Sequence, residues 1–170
     1  RPADVERQFE TLCGIGELLW RAQGVDDGRR YYLRAAEIAR TLRSPAMLAE
    51  AALGYAGADM QGLLFPHATA ATLLSEALEI LPATDSAHRA RVLAKLASMP
   101  PRGPDRNERQ RQLSQDAVGM ARRLGDLTTL MFALTERCWA VSAPEELAAR
   151  HAAANELIEL AQLHGNLVLL

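Results

Sequence analysis

Apolar residues recur along this chain at spacings of three and four, the period of an amphipathic helix. The first such run places Phe9, Leu12, Leu19 and Trp20 on one helical face. Eight runs of this kind are separated by short segments rich in Gly, Pro, Ser and Asp, which favour turns and helix caps. The strict alternation of apolar and polar residues that indicates a β-strand does not occur. The pattern therefore predicts an all-α fold of paired helices.

Polar residues that open new helices recur at a nearly constant interval. Ser44, Asp85, Asp126 and Asn166 follow one apolar run and precede the next, at intervals of about 41, 41 and 40 residues. Such a period is typical of stacked helical arrays, in which each two-helix unit buries its apolar face against its neighbours. We expect one domain over 1–170, with four repeats at about 4–43, 44–84, 85–125 and 126–165.

The two ends of the chain suggest a longer protein. The sequence begins with Arg1 and Pro2 rather than with Met, and residues 166–170 have the pattern of a further helix that has just begun. We therefore expect this chain to be an excerpt of a larger protein in which the array continues.

Small and large residues recur at matching levels of the predicted repeats. The first helix of each repeat carries a small residue at one level: Gly16, Ala56, Ala97 and Cys138. One turn earlier the same helices carry Leu12, Ala52, Leu93 and Leu134, and the second helices share a level at Ala36, Ala77, Val118 and Ile158. Small residues allow close approach of helix backbones, so we expect these levels to lie at helix–helix contacts.

Composition and charge limit the classes of function that this chain can have. Hydrophobic residues make up 49% and charged residues 24% of the chain, which is typical of a folded globular protein. The formal net charge of −2 supplies no general attraction to nucleic acid or to an anionic membrane, and no apolar run approaches the ~18–20 residues of a membrane span. We therefore expect neither nucleic acid nor a membrane as a direct partner. Cys13 and Cys138 lie within apolar helical patterns, which favours buried thiols in a reducing cytoplasm.

Residue spacings typical of catalytic, cofactor or metal sites are absent from the sequence. The only lysine, Lys95, has no glycine-rich phosphate loop before it, and no two histidines have a metal-ligand spacing. Acidic pairs such as Asp26-Asp27 stand at helix starts, where they complement the helix dipole. The arginines between 102 and 111 alternate with acids and lack aromatic neighbours, which favours a solvated helix start over a nucleic-acid site. We assign no catalytic, cofactor-binding or metal-binding residue.

The repeat pattern resembles the tetratricopeptide repeat. In the first repeat the residues that carry the resemblance are Gly16, Gly28, Tyr32 and Ala35, and in the second they are Gly54, Ala70, Leu74, Ala77 and Pro82. The third and fourth repeats match more loosely, with Ser114 where an aromatic residue is usual, and the period exceeds that family's 34 residues. The resemblance implies a right-handed α–α superhelix, a solenoid of about four degenerate repeats.

A second resemblance concerns the segment from Leu113 to Asp126 with Leu130, Ala133 and Leu134, and the segment from Glu136 to Ala161. These are similar to the helical-repeat region of large bacterial signalling proteins, the multidomain ATPase regulators with LuxR-type DNA-binding ends and their cyclase-fused relatives. The resemblance implies a cytoplasmic interaction or sensory scaffold in transcription regulation and signal transduction.

These observations favour a non-enzymatic protein-interaction module of a larger bacterial regulator. Its partner would be another protein or another domain of the same chain, with homodimerisation through exposed solenoid ends as a further expectation. The alternative is a small-molecule effector site within the array, and an enzyme domain is the third hypothesis. The candidate binding residues are Trp20, Tyr55, Arg137 and Trp139, because first helices line the concave face of such arrays and because aromatics and arginine are common interface anchors. For each tryptophan, packing between helices is the competing interpretation.

Overall fold

The computed structural model describes residues 2–22, 25–57, 68–99, 106–140 and 146–163. Within these ranges the chain forms eight α-helices and no strand: α1 (Pro2–Arg21), α2 (Val25–Thr41), α3 (Pro45–Ala56), α4 (Ala68–Ile80), α5 (Ala87–Ser98), α6 (Arg106–Leu124), α7 (Leu127–Ala140) and α8 (Leu147–Leu163). The expectation of an all-α protein is confirmed.

The chain divides into two compact units, Arg1–Leu81 and Pro82–Leu170. The first unit contains α1 to α4 and the second contains α5 to α8, so each holds two helix pairs. The division falls within a few residues of the predicted boundary between the second and third repeats.

In the first unit each helix packs against its neighbour in sequence, α1 on α2, α2 on α3 and α3 on α4. Tyr32 of α2 lies between two first helices because Gly16 of α1 and Gly54 of α3 leave room for its ring. A Cβ at Gly16 would lie 2.8 Å from Tyr32 Cε2, and a Cβ at Gly54 would overlap the same ring. Glycine at these two positions therefore lets three helices meet around one aromatic side chain.

In the second unit α5 packs on both α6 and α7, and α7 packs on α6 and α8. The small residues Ala97 of α5 and Ala140 of α7 form a buried cluster, and Leu113 of α6 and Ala149 of α8 pack against it. One residue from each of the four helices thus meets at this point. The prediction that Ala97 lies at a close contact between helices is confirmed.

Two of the predicted joints between repeats are helix caps. Ser44 Oγ accepts a hydrogen bond from the Met47 amide at 3.4 Å, and Pro45 occupies the first turn of α3. Asp126 Oδ1 accepts bonds from the amides of Thr128 at 3.1 Å and Thr129 at 3.4 Å. Such bonds satisfy amides that have no partner within the helix. Asn166, the last predicted joint, lies outside the described residues.

The joint predicted at Asp85 differs by one residue. Ser86, not Asp85, caps α5, with its Oγ accepting from the Arg89 amide at 3.2 Å. The carboxylate of Asp85 instead accepts bonds from Arg123 Nε at 2.6 Å and Arg123 Nη2 at 3.0 Å. The hydrogen bond and charge of Arg123 lower the pKa of Asp85 below its ordinary value. Arg123, which lies 38 residues away in the sequence, therefore binds the Asp85 carboxylate that the local sequence predicts as a helix cap.

Four residues are predicted to share one level of the second helices, and three of them are buried. Ala36, Ala77 and Val118 are at most 5% exposed, whereas Ile158 is 41% exposed. The buried residues of α8 are Ala153 and Ala161, so this helix presents a different side to its neighbours.

Arginine–glutamate pairs join the second helices of each unit. In the first unit Arg40 of α2 donates from Nε and Nη2 to the two carboxylate oxygens of Glu76 on α4, at 2.7 and 2.6 Å. In the second unit Arg122 Nη2 of α6 donates to Glu156 Oε2 of α8 at 2.6 Å. The hydrogen bond from Arg40 and its charge lower the pKa of Glu76 below its ordinary value.

Candidate binding site

Trp20 and Tyr55, two of the four predicted binding residues, lie against the same arginine in the first unit. The guanidinium carbon of Arg29 is 5.7 Å from the centroid of each ring, within the range of a cation–π contact. Tyr55 is 4% exposed and Arg29 is 9% exposed, while Trp20 is half-buried. The three side chains belong to α1, α2 and α3, so this cluster packs the first three helices together.

Glycine also shapes the surroundings of Trp20. A Cβ at Gly57 would lie 2.5 Å from Trp20 Cη2, and one at Gly28 would lie 3.2 Å from Trp20 Cδ1. Gly57 has a φ of +67°, a conformation that L side chains rarely adopt, at the end of α3. The buried Nε1 of Trp20 and Nε of Arg29 have no hydrogen-bond partner in the described part of the chain. The indole is therefore held by shape and by the cation–π contact.

Arg137 and Trp139, the other two predicted residues, lie on α7 in the second unit. Arg137 is half-buried, and its Nη1 donates to Ser114 Oγ of α6 at 2.9 Å. Trp139 is 37% exposed. Ser114 itself is 2% exposed, so its hydroxyl holds Arg137 at a buried position of α6. The structure thus places Trp20 and Tyr55 against Arg29 in the first unit, and Arg137 against Ser114 in the second.

An open groove follows the seam between α1 and α2 in the first unit. It consists of two depressions of about 380 and 270 Å³, and Arg34 lines both. The first is lined by Leu19, Asp27, Arg30, Tyr31 and Arg34, and the second by Val5, Gln8, Leu12, Arg34, Glu37, Ile38 and Thr41. We call this surface the α1–α2 groove. It combines apolar side chains with a charged rim.

The α1–α2 groove lies on the side of α2 away from α3. Its residues on α2 recur at spacings of three and four, which places them on one side of the helix. The residues that pack inward, Tyr32, Ala36 and Ala39, occupy the other side and are buried. The sequence did not single out this groove, because its apolar residues look like ordinary core positions of an amphipathic helix.

A buried ionic cluster in the second unit was not predicted from the sequence. Lys95 Nζ of α5 lies 3.0 Å from Glu136 Oε1 of α7, and Ser98 Oγ donates to Glu136 Oε2. Lys95, Ser98 and Glu136 are 6%, 6% and 4% exposed. The sequence signal that could have found the pair is the separation of Lys95 and Glu136 by 41 residues, which equals the predicted repeat interval. The cluster satisfies its own charges, so it serves as a structural contact between two first helices.

Both cysteines are free and only half-buried, so the expectation of fully buried thiols is wrong. Burial, with a smaller contribution from the charge of Glu50, raises the pKa of Cys13 to about 12. Burial also raises the pKa of Cys138. Both thiols are therefore poor nucleophiles at neutral pH, because the thiolate is the reactive form.

The described ranges contain neither a metal-binding cluster nor a membrane-spanning helix. In that part of the chain no group of three or more His, Cys, Asp or Glu side chains is placed to hold a metal ion. None of the helices described above is both long enough and apolar enough to cross a bilayer.

Comparisons with known proteins returned no relative. No protein-family model, no curated protein and no solved structure matches this chain.

Proposed function

We propose that this chain is a non-enzymatic helical-repeat module that binds a protein partner within a larger bacterial regulatory protein. In this proposal the paired helices form a tetratricopeptide-like superhelix in the cytoplasm. The module would act through shape, by presenting a preformed surface to a partner helix or domain and by small shifts between stacked helices. Transcription regulation and signal transduction are the settings that the sequence resemblance suggests.

The observation that carries the proposal is the α1–α2 groove. A seam between two antiparallel helices, with Leu12, Leu19 and Ile38 along it and charged residues at its rim, fits the helix-in-groove mode of recognition. Protein interfaces share this arrangement of an apolar centre and a polar rim. The groove is also long, since its two depressions extend from Asp27 to Thr41 on α2.

The groove favours a protein partner over the small-molecule alternative. Small-molecule sites are enclosed, mostly apolar cavities that cover most of the ligand surface. Here the depressions are open, and several of their lining residues are charged: Asp27, Arg30, Arg34 and Glu37. The buried Lys95–Glu136 pair gives no support to an enzyme, because both groups are already bonded to each other.

Site-specific photo-crosslinking in cells tests the proposal. A photoreactive phenylalanine replaces Gln8, an exposed residue in the α1–α2 groove, in the full-length protein. The matched control carries it at Glu10, which is exposed on the other side of the same helix. We expect a defined protein adduct from position 8 and none from position 10. The same adducts at both positions, or none at either, would contradict the proposal.

A further inference from the structure

The side chain of Tyr32 passes between the two first helices of the first unit. Its ring lies in the gap that Gly16 of α1 and Gly54 of α3 leave open. A Cβ at Gly16 would lie 3.0 Å from Tyr32 Cζ, the carbon that bears the hydroxyl, and a Cβ at Gly54 would overlap that carbon. The hydroxyl therefore extends past both glycines, on the side away from α2, although Tyr32 as a whole is only 7% exposed.

The charges around this hydroxyl are negative. Burial, followed by the charges of Cys13, Glu17 and Glu50, raises the pKa of Tyr32 to about 12. The phenol is therefore neutral at neutral pH, and its oxygen can accept a hydrogen bond. Because the pKa of Cys13 is raised as well, the charged groups at neutral pH are the two carboxylates. Within the described ranges, no arginine is among the charges that act on Tyr32.

These oxygen-bearing groups are left with unused hydrogen-bonding capacity. Within the described residues the Tyr32 hydroxyl makes no hydrogen bond, and Glu50 makes neither a hydrogen bond nor an ion pair. Glu17 uses Oε1 for Arg21 at 2.7 Å, in an exposed pair one turn apart on α1. A polar side chain as buried as Tyr32 normally has a hydrogen-bond partner, so its absence here indicates a ligand.

We propose that the first unit has a further binding site, which takes the primary ammonium group of a small organic amine. Glu17 of α1, Tyr32 of α2 and Glu50 of α3 bind it, so the amine connects three helices. A primary ammonium has three N–H donors, and the site offers three acceptor groups. Its positive charge also compensates the two carboxylates, and hydrogen bonds between ionised groups are stronger than neutral ones.

The surroundings of the site favour a free amine over a basic side chain of a protein partner. Protein interfaces depend on large side chains that anchor the contact. Among the exposed large hydrophobic residues of the described chain, none belongs to α3 and only Leu18 belongs to α1. Leu18 follows Glu17 directly and therefore points about 100° away around the helix. The site goes beyond the proposed function, because none of its three residues lines the α1–α2 groove.

Titration of the 170-residue chain with two cations tests the inference. The probe is butylammonium, and the matched control is tetramethylammonium, which carries the same charge but no N–H donor. The backbone amide NMR signals of Gly16 and Gly54, which flank Tyr32, report binding at constant low ionic strength. We expect butylammonium to bind at least about fivefold more tightly than tetramethylammonium, because only butylammonium can donate hydrogen bonds.

Substitutions in the protein locate the site. Tyr32→Phe removes only the hydroxyl and keeps the ring between the glycines, and Glu50→Gln removes one charge. Each should weaken butylammonium binding at least about fivefold. Tyr31→Phe, at a half-buried tyrosine of the α1–α2 groove, is the matched control and should leave the affinity unchanged. Equal binding of the two cations, no binding of butylammonium, or unchanged affinity in Tyr32→Phe would overturn the inference.

Crosslinking in cells distinguishes a free amine from a side chain of a partner. A photoreactive phenylalanine at Ala46, an exposed residue one turn before Glu50 on α3, should give no protein adduct in the full-length protein. An adduct that disappears with Glu50→Gln would overturn the inference, because the cation would then belong to a protein. The crosslinking at position 8 tests the proposed function separately, so the two can fail independently.

Discussion

Lys95 and Glu136 form an ion pair with 3.0 Å between Nζ and Oε1, and they are 41 positions apart. That separation equals the interval predicted for the repeat, and in the predicted register the two residues occupy the same position of α5 and α7. Both side chains are buried, and Ser98 adds a hydroxyl bond to the carboxylate. A contact of this kind fixes which level of α5 meets which level of α7.

Removal of one member of this pair should destabilise the second unit strongly. Lys95→Met leaves the Glu136 carboxylate buried without its cation, and breaking a buried pair in this way destabilises proteins by about 3–5 kcal/mol. Urea denaturation followed by circular dichroism measures the loss.

The double variant Lys95→Met with Glu136→Leu is the matched control. It replaces both charges by apolar side chains and should recover most of the lost stability, because no buried charge remains unpaired. If the single and double variants were equally unstable, the loss would come from packing rather than from the uncompensated charge.

Ala97 should not tolerate a larger side chain. Ala97→Leu introduces bulk where residues of all four helices of the second unit meet, and overpacking of this kind destabilises by about 1–3 kcal/mol. Ala152→Leu, at an exposed position of α8, should change the free energy of unfolding by less than about 0.5 kcal/mol. Equal thermal stability of the two variants would show that Ala97 has free space around it.

Alanine substitution at two glycines that lie one predicted repeat apart should change the free energy of unfolding in opposite directions. Gly54→Ala places a methyl group into the Tyr32 ring, and we expect a loss of about 1–3 kcal/mol. A Cβ at Gly14 meets nothing within 4 Å, so Gly14→Ala should stabilise α1 by about 0.5–1 kcal/mol through helix propensity. Thermal unfolding of the two variants provides the comparison. A stabilising effect of Gly54→Ala would contradict the close contact between Gly54 and the Tyr32 ring.

The Arg40–Glu76 contact should make the stability of the first unit depend on pH. The pKa of Glu76 is lowered in the folded protein from an ordinary value of 4.5, so its contribution is present above about pH 4.5 and is lost as the pH falls through the lowered pKa. Both side chains are partly exposed, which limits the effect to less than about 1 kcal/mol.

Urea unfolding between pH 6 and pH 3 checks this dependence. Glu76→Gln should weaken the protein at pH 6 and should lose less further stability on acidification than the unsubstituted chain, because its side chain does not titrate. Glu79→Gln, exposed on the same helix, serves as the control and should follow the unsubstituted chain. Parallel curves for Glu76→Gln and the unsubstituted chain would contradict the prediction.

Local signals predicted the helices well and the site poorly. Ser44 and Asp126 cap helices as expected, because a cap depends on residues two or three positions away. Asp85 does not cap, because Arg123 reaches its carboxylate from 38 residues along the chain. Likewise, Tyr55 looked like a surface anchor, yet it is buried and lies against Arg29, a contact that the spacing does not reveal.

The sequence by itself determined the all-α class, the helix pairs and the small residue at Ala97, since each follows from helical periodicity and from local capping. Only the tertiary structure decided which partners the charged and aromatic side chains take. It paired Lys95 with Glu136, placed Arg29 against Trp20, and left Arg34 exposed in the α1–α2 groove. The reason is that a helix face is set by residues three and four apart, whereas these contacts depend on how separate helices lie against each other.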